Sequence, residues 1–393
     1  MTAIEILFWA SAFLVVYAYV GYGAVLFVLV KLKRIFFGKN ELDESEVFEP
    51  EVALVIPAYN EKDYVGEKVA NSFALDYPKE KLKIIFVTDG SDDGTPDALR
   101  KYDGIAVLHE PERRGKIAAI NRIMPTIQAP ITIFTDANAM LSPQTVRMIV
   151  RHYRDAKVGA VAGEKRIRRQ AEERASGAGE GIYWKYESLL KKWDSDLHSV
   201  VGAAGELFSI RTELYAPVEK NAILDDFMIS LRIAKNGYKV AYEPEAYAEE
   251  LPSENVKEEL KRKVRICAGG IQSIVWLKEL LNPFKYGILS FQYVSHRVLR
   301  WTLAPLALVL LIPLNLQLML EFGGLYAVIF ALQLLFYLMA VPGWILEQRH
   351  LRVKLFFVPY YFFIMNLAVF LGFFRYLKGR QSVLWERSVR AKA

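Results

Sequence analysis

Residues 52–61 read VALVIPAYNE, an apolar run that ends in polar side chains, and this stretch decides the fold class. Three further apolar runs follow at intervals of about twenty-five residues, with helical patterns between them. These runs are Lys83–Val87, Ile105–Leu108 and Ile131–Phe134. Because alternating strands and helices form parallel pairs, the pattern predicts an α/β domain with a mostly parallel, doubly wound (Rossmann-like) sheet.

Polar segments follow three of the four predicted strands. Pro57–Glu61 leaves the first strand, Thr88–Thr95 leaves the second, and Asp136–Asn138 leaves the fourth. Ligands bind beyond the carboxyl ends of the strands in sheets of this kind. We therefore expect the three segments to converge on one binding rim.

Acidic groups at strand ends suit a nucleotide diphosphate that is held through a hard cation. Mg²⁺ or Mn²⁺ takes one or two carboxylates and fills its other positions with phosphate oxygens and water. Asp136 is the expected ligand, and Asn138 can assist through its amide oxygen or a bound water. Asp, Gly and Ser also dominate ordinary turns, so a simple turn at Asp136–Asn138 and a simple loop at Asp89–Ser91 stay open as alternatives.

Basic side chains follow the third strand and could reach phosphate groups. They are Arg113, Arg114 and Lys116, of which Lys116 opens a helix and is the best candidate. A solvated basic loop is the alternative interpretation.

Asp225 and Asp226 stand at the start of another predicted helix. Glycosyl transfer with inversion needs a base that takes the proton from an acceptor hydroxyl, and a carboxylate serves that purpose. A helix start favours the ionised form that a base requires. We expect Asp226 to be the base, and Asp225 either to share the catalytic site or to act as the helix N-cap.

Apolar stretches flank this domain. Residues 4–30 contain one charged residue, Glu5, and precede the basic run Lys31, Lys33, Arg34 and Lys39, which predicts a spanning helix whose carboxyl end is cytoplasmic. Residues 301–320, 325–346 and 355–374 can each span a bilayer. Three crossings would place the tail outside, yet residues 347–393 carry nine Lys or Arg against two Glu. Either one stretch does not cross fully or the tail departs from the positive-inside rule.

The chain is thus divided into five predicted regions. They are an N-terminal transmembrane anchor (1–40), a cytoplasmic α/β domain (50–252), an interfacial helix region (253–285), a C-terminal transmembrane region with about three apolar segments (286–376) and a basic tail (377–393). Polar residues in the apolar stretches either line a path or bridge helices; they are Asn315, Gln317, Gln333 and Asn366. Four spans are few for an enclosed channel, so a homo-oligomer is one expected arrangement.

Composition excludes several classes of protein. The net charge is +6 and the pI is about 9.0, but the basic residues form no nucleic-acid-binding motif, and membrane lipid is the simpler partner. The single cysteine, Cys267, excludes an intramolecular disulfide framework, and the sequence has no Cys/His cluster for zinc.

In their order, the motifs resemble those of the inverting glycosyltransferases of family 2, which have a GT-A fold. The chain is most similar to the membrane-embedded branch that includes hyaluronan, chitin and poly-N-acetylglucosamine synthases. The resemblance runs from Val52 to about Gly270. It implies that a GT-A domain is inserted between transmembrane helices.

The resemblance also implies roles for individual residues. Pro57, Tyr59, Glu61 and Asp89 correspond to contacts with the nucleotide base and ribose, Asp136 to the first acid of the Asp-x-Asp metal motif, and Asp226 to the base of the Thr-Glu-Asp signature. Asn138 and Thr88 depart from the family pattern. Residues 262–266 resemble the Gln-x-x-Arg-Trp motif of processive synthases: Arg265 is kept as a diphosphate contact, whereas Arg262 and Ile266 replace the glutamine and tryptophan.

These observations predict a hexosyl- or N-acetylhexosaminyltransferase that uses a nucleotide sugar, with UDP favoured by the resemblance. The expected acceptor is a saccharide in polysaccharide or oligosaccharide synthesis at the cell membrane. A lipid acceptor, such as a polyprenyl phosphate or a glycolipid, is the alternative, because Ile266 lacks the flat face that stacks on a sugar ring. Trp184, Tyr186 or Trp276 could replace that face, although aromatics at helical spacing are more often core. A catalytically inert nucleotide-sugar-binding protein is a third interpretation.

Overall fold

The computed structural model describes residues 1–38, 47–168, 178–251, 256–349, 351 and 353–379, with the backbone alone for 178–184. The predicted basic tail lies outside the described residues from 380 onward, and so does the side chain of Trp184. Strands and helices alternate between residues 52 and 135, as the apolar runs predict.

Within the described residues, eight strands form a single sheet. They are β1 Val52–Ala58, β2 Leu82–Asp89, β3 Ile105–Glu110, β4 Ile131–Thr135, β5 Met140–Leu141, β6 Val158–Ile167, β7 Leu207–Arg211 and β8 Lys239–Glu250. The order across the sheet is β3-β2-β1-β4-β7-β6-β8-β5. β1 is parallel to β2 and β4, β2 to β3, and β6 to β8, whereas β7 is antiparallel to β4 and β6, and β5 to β8. The prediction of a mostly parallel sheet is confirmed.

Helices cover both faces of this sheet, and further helices precede and follow the sheet along the chain. In chain order the described α-helices are α1 Ala3–Val16, α2 Tyr22–Phe37, α3 Lys62–Phe73, α4 Thr95–Leu99, α5 Lys116–Ile123, α6 Thr145–Val150, α7 Ala178–Leu197, α8 Asp225–Lys235, α9 Val256–Trp276, α10 Pro283–Tyr293, α11 Leu299–Trp301, α12 Leu303–Phe322, α13 Gly324–Gln348 and α14 Lys354–Leu377.

The core lies on the two sides of the sheet, because successive side chains of a strand point to opposite faces. Ala53 and Val55 of β1 pack into the cluster that contains the apolar residues of α5 and α8. Leu54 and Ile56 pack into the opposite cluster, which contains those of α3 and α6. Every residue of β1 is buried, which is typical of a central parallel strand.

The first helix is longer than a membrane crossing requires. A π-helical turn, Tyr17–Gly21, joins α1 to α2, so that the helix runs without a break from Ala3 to Phe37 over 35 residues. At 1.5 Å per residue it is roughly 50 Å long, against about 30 Å for the hydrocarbon core. Its second half packs on α7, where Lys33 Nζ donates to the carbonyls of Asp196 and Leu197 at 2.8 Å each. The apolar residues of α2 therefore also form a docking face for the α/β domain.

Four helices of the described residues are long and apolar enough to cross a membrane: Ala3–Phe37, α12, α13 and α14. Polar side chains bridge them, as one of the two sequence interpretations predicts. The side chains of Asn315 and Gln333 are 3.1 Å apart between α12 and α13, and Tyr19 donates to Asn366 Oδ1 at 2.6 Å. Gln317 is exposed and takes no part.

A buried polar network joins the α/β domain to the membrane helices. Asp194 of α7 accepts hydrogen bonds from Tyr22 of α2 and from Gln292 of α10, and its other oxygen lies 2.6 Å from Nδ1 of His296. All four side chains are at most 1% exposed. Seven residues earlier on α7, Glu187 pairs with Arg300. Because buried polar groups are costly when they lose their partners, this network fixes the domain on the helices.

Replacing Asp194 by Ala is expected to lower the free energy of unfolding by about 3–5 kcal/mol, because it leaves a buried network without its central acceptor. The matched control is Asp196→Ala, which removes an exposed ion pair with Arg34 and should cost less than about 1 kcal/mol. The midpoints of thermal unfolding in detergent give the comparison. Equal midpoints for the two variants would contradict the role assigned to the network.

Candidate active site

The carboxyl ends of β1, β2 and β4 meet at one edge of the sheet, as the sequence predicts. The loop after β1 is held against the loop after β2 by Asn60, whose φ of 53° lies in the left-handed region that Asn tolerates. Asn60 Nδ2 donates to the carboxylate of Asp92 at 2.8 Å, and Asn60 Oδ1 accepts from the Asp92 amide at 3.0 Å. The segment Pro57–Glu61 is thus fixed in place.

A cleft of about 270 Å³, including the part open to solvent, lies at this edge. Its lining residues are Pro57, Ala58, Tyr59, Val87, Asp89, Arg113, Gly115, Lys116 and Ala119. The Arg113 guanidinium lies over the Tyr59 ring, 3.8 Å from the ring centroid. Flat aromatic and guanidinium surfaces stack well on a planar ligand. Glu61 does not line the cleft; it is buried at the start of α3.

Asp89 is buried at the floor of the cleft. Its Oδ2 accepts from the backbone amides of Arg114 and Gly115 at 2.9 and 2.6 Å. Its Oδ1 is buried and accepts no hydrogen bond from the described residues, although Arg122 approaches to 3.8 Å. A buried carboxylate oxygen without a donor suits a hydroxyl or N–H group of a ligand.

The residue after Asp89 must be glycine. Gly90 has a φ of +66°, and a Cβ there would lie 2.8 Å from the Arg113 backbone nitrogen. The loop that carries Arg113 can therefore pass close over the end of β2.

Lys116 connects the end of β4 with the start of α8 through ionic contacts. Its Nζ lies 2.7 Å from Asp136 Oδ1 and 3.8 Å from Asp225 Oδ2, and its side chain is 10% exposed. Burial alone would lower the pKa of Lys116, but the carboxylates of Asp136 and Asp225 outweigh burial and raise it. Lys116 is consequently a fixed positive charge between the end of β4 and the start of α8.

The turn that carries Asp136 is held from below by a buried lysine. Lys68 of α3 is 0% exposed and donates to Thr135 Oγ1 at 3.2 Å and to the carbonyl of Ala139. Thr135 in turn donates to the carbonyl of Glu206 at 2.9 Å. Burial lowers the pKa of Lys68 to about 7, although Asp136 opposes the shift. Both ends of the turn are therefore attached to the same ammonium group.

Asp225 and Asp226 are the first two residues of α8. The N-cap is Leu224, and no side chain caps the helix, so the prediction that Asp225 is the cap is wrong. Asp226 Oδ1 instead accepts from the amide of Phe227 at 2.8 Å. The chain enters the helix from a non-helical Leu224, which places both carboxylates inside the first turn, where they face Lys116.

Burial raises the pKa of Asp226 to about 7, and the charge of Asp225 adds to the shift, while Lys116 opposes it. A carboxyl group with a pKa near neutrality is a suitable general base, since a substantial fraction of it is ionised at neutral pH and it still binds a proton well. Gly205 leaves room for this carboxylate: a Cβ there would be 3.3 Å from both Asp226 Oδ2 and Lys116 Nζ.

Helix α9 brings Arg265 to the site. Burial lowers the pKa of Arg265, and the carboxylates of Asp225 and Asp136 oppose this shift, so its guanidinium lies within their electrostatic reach. The close approach depends on Gly269, where a Cβ would be 2.7 Å from the Leu224 side chain. The middle of α9 is thus packed directly against the residue that precedes Asp225.

Arg262, which stands where the processive synthases have a glutamine, pairs with Glu259. Arg262 donates to both carboxylate oxygens of Glu259 at 3.0 Å and lies 3.9 Å from Glu206. Glu206 also pairs with the buried Lys165. Arg262, Glu206 and Lys165 thus form a chain of alternating charges.

The donor set at Asp136 fits a divalent cation bound together with a diphosphate. Asp136 and Asp225 converge on a position that an ammonium group reaches, and Asp225 Oδ2 is buried without a hydrogen bond among the described residues. Among the described residues, no three His, Cys, Asp or Glu side chains are grouped so that they could hold a metal ion. Mg²⁺ is commonly held by one or two carboxylates together with phosphate oxygens. Asn138 is half-buried two residues after Asp136.

The structure therefore brings together most of the predicted residues: Pro57, Tyr59, Asp89 and Lys116 in the cleft, and Asp136, Asp225, Asp226 and Arg265 beside it. Sequence reasoning missed Lys68 and Glu206. The sequence did hold a sign of the role of Lys68. Its spacing from Val65 and Val69 places it on the apolar face of α3. Glu206 carried no such signal.

Comparison with known proteins identifies the family. A model of the family described as "Glycosyltransferase like family 2" matches residues 50–269. The poly-beta-1,6-N-acetyl-D-glucosamine synthase of Staphylococcus aureus is 26% identical over 274 residues, which cover 67% of this chain and 64% of that protein. The synthase of the same name from Staphylococcus epidermidis is 23% identical over 287 residues, covering 70% and 68%.

The fold is shared with a solved structure, the mannosyltransferase PcManGT from Pyrobaculum calidifontis in complex with GDP-Man and Mn²⁺. That protein is 22% identical, with a TM-score of 0.72, and the match covers 96% of this chain and 99% of the other. This likeness shows the GT-A fold. Because the family match spans more than half of the 393 residues, the chain belongs to the family 2 glycosyltransferases, and its apolar helices fit a membrane-embedded member.

Proposed function

We propose that this chain transfers a sugar, with inversion, from a nucleoside-diphosphate sugar to the hydroxyl of a saccharide acceptor, in polysaccharide or oligosaccharide synthesis at the membrane. The observation that carries the proposal is the position of Asp226, a carboxylate of raised pKa at the junction of the cleft and the Lys116 ion pairs. The Staphylococcus relatives are named for polysaccharide synthesis, which supports the acceptor class.

The nucleotide occupies the cleft in this proposal. Its base stacks in the Tyr59–Arg113 wall, and Asp89 Oδ1 accepts a hydrogen bond from the base or the ribose. Lys116 and Arg265 face the diphosphate with two positive charges. UDP is the favoured carrier because of the sequence resemblance to the membrane-embedded synthases.

Asp136 would hold a Mg²⁺ or Mn²⁺ ion, assisted by Asn138. When bound, such an ion neutralises the negative charge that develops on the departing diphosphate. The solved structure of PcManGT is a complex with GDP-Man and Mn²⁺, which supports the use of a divalent cation.

Asp226 takes the proton from the acceptor hydroxyl. The acceptor oxygen forms a bond to the anomeric carbon from the side opposite the diphosphate, while the bond from that carbon to the diphosphate oxygen breaks and its electrons leave with the nucleoside diphosphate. One displacement inverts the anomeric configuration. Asp225 lies beside the base, and its charge keeps the proton affinity of Asp226 high.

The catalytic domain lies on the cytoplasmic face in this proposal. Lys33 and Arg34 contact Asp196 of α7 and are thus on the same side as the domain, and basic residues that follow a spanning segment mark the cytoplasmic side. Nucleotide sugars would reach the cleft from that side.

A lipid acceptor is the second candidate, and Ile266 favours it. Two of the aromatic candidates for the place of the tryptophan pack against other parts of the protein. Tyr186 packs against Gly23 of α2, and Trp276 packs on the core. Separation of radiolabelled product into organic and polymeric fractions distinguishes the acceptors. Label in the organic phase alone would reject the saccharide acceptor.

The donor assay tests the proposal as a whole. Purified full-length protein is incubated with Mn²⁺ and a panel of UDP- and GDP-sugars, and release of nucleoside diphosphate is measured. We expect turnover with at least one donor and a loss of about 10²–10⁴-fold in Asp226→Asn, the usual contribution of a general base. Nucleotide binding by the variant should persist. Full turnover by Asp226→Asn would reject the base assignment.

The pH profile tests the same carboxyl group. A base acts only when it is ionised, so kcat/KM should rise with pH through the raised pKa of Asp226, about 7, and level off above it. Initial rates between about pH 5 and about pH 9 at subsaturating donor give the profile. A rate that is constant or falls across this range would contradict the assignment.

Asp136→Asn is expected to remove the metal dependence of nucleotide binding, because the amide cannot supply the anionic ligand that the cation prefers. Calorimetric titration of UDP with and without Mn²⁺ measures the effect. Asn138→Ala serves as the matched control, with a smaller loss. If Mn²⁺ still strengthened UDP binding to Asp136→Asn as in the unmodified protein, Asp136 would not be the ligand.

Lys68→Met is expected to weaken Mn²⁺-dependent UDP binding by about 10–100-fold, the range found when a group that orients a metal ligand is removed. Asn71 provides a control on the same helix, since its side chain bonds the backbone of Leu141 at 2.8 Å, beyond the Asp136 turn. Asn71→Ala should bind UDP with nearly unchanged affinity. Equal affinities for both variants would show that Lys68 does not position Asp136.

A further inference from the structure

Helix α14 is long and apolar enough to cross a membrane, with 24 residues and a mean hydropathy of 1.9 in its most apolar part. Whether it does so depends on where its two ends lie. Helices α12 and α13 form the reference, because they are joined directly at Gly323 and their Asn315 and Gln333 side chains meet. The start of α12 and the end of α13 therefore lie on one side, and the Gly323 turn lies on the other.

The first half of α14 packs at the end of α13. A Cβ on Gly343 would contact the Phe356 carbonyl oxygen and would lie 2.8 Å from Tyr360 Cβ. Gly343 is five residues before the end of α13 at Gln348, so the beginning of α14 is on the same side as that end.

The second half of α14 packs at the start of α12. A Cβ on Gly372 would lie 2.6 Å from Cys267 Cβ of α9, and Ala368 and Val369 share a cluster with Cys267 and Trp301. Trp301 is two residues before α12 begins. An α14 that crossed antiparallel to α13 would instead bring Gly372 towards the Gly323 turn.

Both ends of α14 are therefore on one side, and it is the side of the catalytic site. Trp301 contacts the Phe227 ring with centroids 5.5 Å apart, and Phe227 directly follows Asp226. The opposite side is marked by the amino end of α1, where Tyr326 donates to Glu5 at 2.9 Å.

The two faces of α14 have different neighbours. Buried residues at helical spacing, among them Ala368 and Gly372, face α9. The opposite face is apolar and largely exposed, and near its middle it touches membrane helices, where Asn366 accepts from Tyr19 and Phe362 meets Phe336. The exposed large apolar residues of α14 are Leu355, Val358, Phe363, Leu371, Phe373, Phe374 and Leu377.

We infer that α14 does not cross the membrane but lies in the interfacial layer on the catalytic side, between α9 and the bilayer, with its exposed apolar face against lipid. Exposed lysines stand at its two ends, Lys354 and Lys378, where they can meet anionic headgroups. Three helices then cross, and the carboxyl end of α14, from which the basic tail continues, is on the catalytic side. The conflict between three C-terminal crossings and a basic tail disappears.

This arrangement also gives α9 a support. Helix α9, which carries Arg265, is packed between the residues that directly precede α8 and helix α14. Helix α14 therefore supports α9 from the membrane side. Insertion of α14 into the leaflet would fix the height of Arg265 above the membrane.

Labelling of single cysteines in sealed vesicles tests the inference. The variants Lys354→Cys, Lys378→Cys, Lys101→Cys in the α/β domain and Glu321→Cys beside the Gly323 turn are treated with a membrane-impermeant maleimide before and after permeabilisation. Cys267 is replaced by Ala, or is kept where that change impairs folding, because it is only 6% exposed. We expect the labels at positions 354, 378 and 101 to share one side and the label at 321 to be on the other. Labelling of position 378 from the side of 321 would overturn the inference.

Depth measurement provides an independent result. Spin labels at Leu355, Phe363 and Phe374 report their depth through collision with oxygen and with a water-soluble nickel complex in vesicles that contain anionic lipid. An interfacial helix gives similar, shallow depths at all three positions. A crossing helix would place the label at 363 near the bilayer centre, and that result would also overturn the inference.

Discussion

The ammonium group of Lys116 lies between the carboxylates of Asp136 and Asp225, and this pair of ionic contacts holds together three elements that are distant in sequence. Lys116 opens α5, Asp136 directly follows β4, and Asp225 begins α8. Three carboxylates meet here once Asp226 is counted, and burying them together is costly unless a cation neutralises part of the charge. Lys116 supplies that charge. Because the carboxylates share this one ammonium group, the cleft and the base keep their relative positions.

The excess of carboxylates also accounts for the chemistry that we propose. With one fixed ammonium for three acids, burial raises the pKa of two of the carboxyl groups, Asp136 and Asp226. Arg265 adds positive charge from α9, and the proposed cation would complete the balance when the diphosphate arrives. The site is then organised around negative charge that is only partly neutralised, which suits both proton uptake and cation binding.

The membrane helices are coupled to this site through short contacts. Gly269 lets α9 approach Leu224, and Trp301 packs on Phe227, so residues on both sides of the aspartate pair touch elements that lead into the membrane region. The Asp194 network holds the other end of the domain against α2. An acceptor that approaches from the membrane would therefore meet a base whose position is set by the membrane-associated helices themselves.

Much of this could be predicted from the sequence, because strands reveal themselves as apolar runs and sites lie where such runs end in polar residues. The four strands from Val52 to Thr135, the Asp136 turn and the aspartate pair followed from that logic. Other features depend on tertiary contacts. Lys68 finds its partners across two elements, Asp225 lies inside α8 rather than capping it, and the hydropathy of α14 records its length and composition but not where its ends pack.

The measurement that tests the central claim most directly is the anomeric configuration of the newly formed glycosidic bond. It can be read from the one-bond carbon–proton coupling at C1 of the first product made from a ¹³C-labelled donor. A single displacement driven by Asp226 predicts the configuration opposite to that of the donor. A product that retains the donor configuration would contradict the account, because it requires a second displacement for which this arrangement assigns no nucleophile.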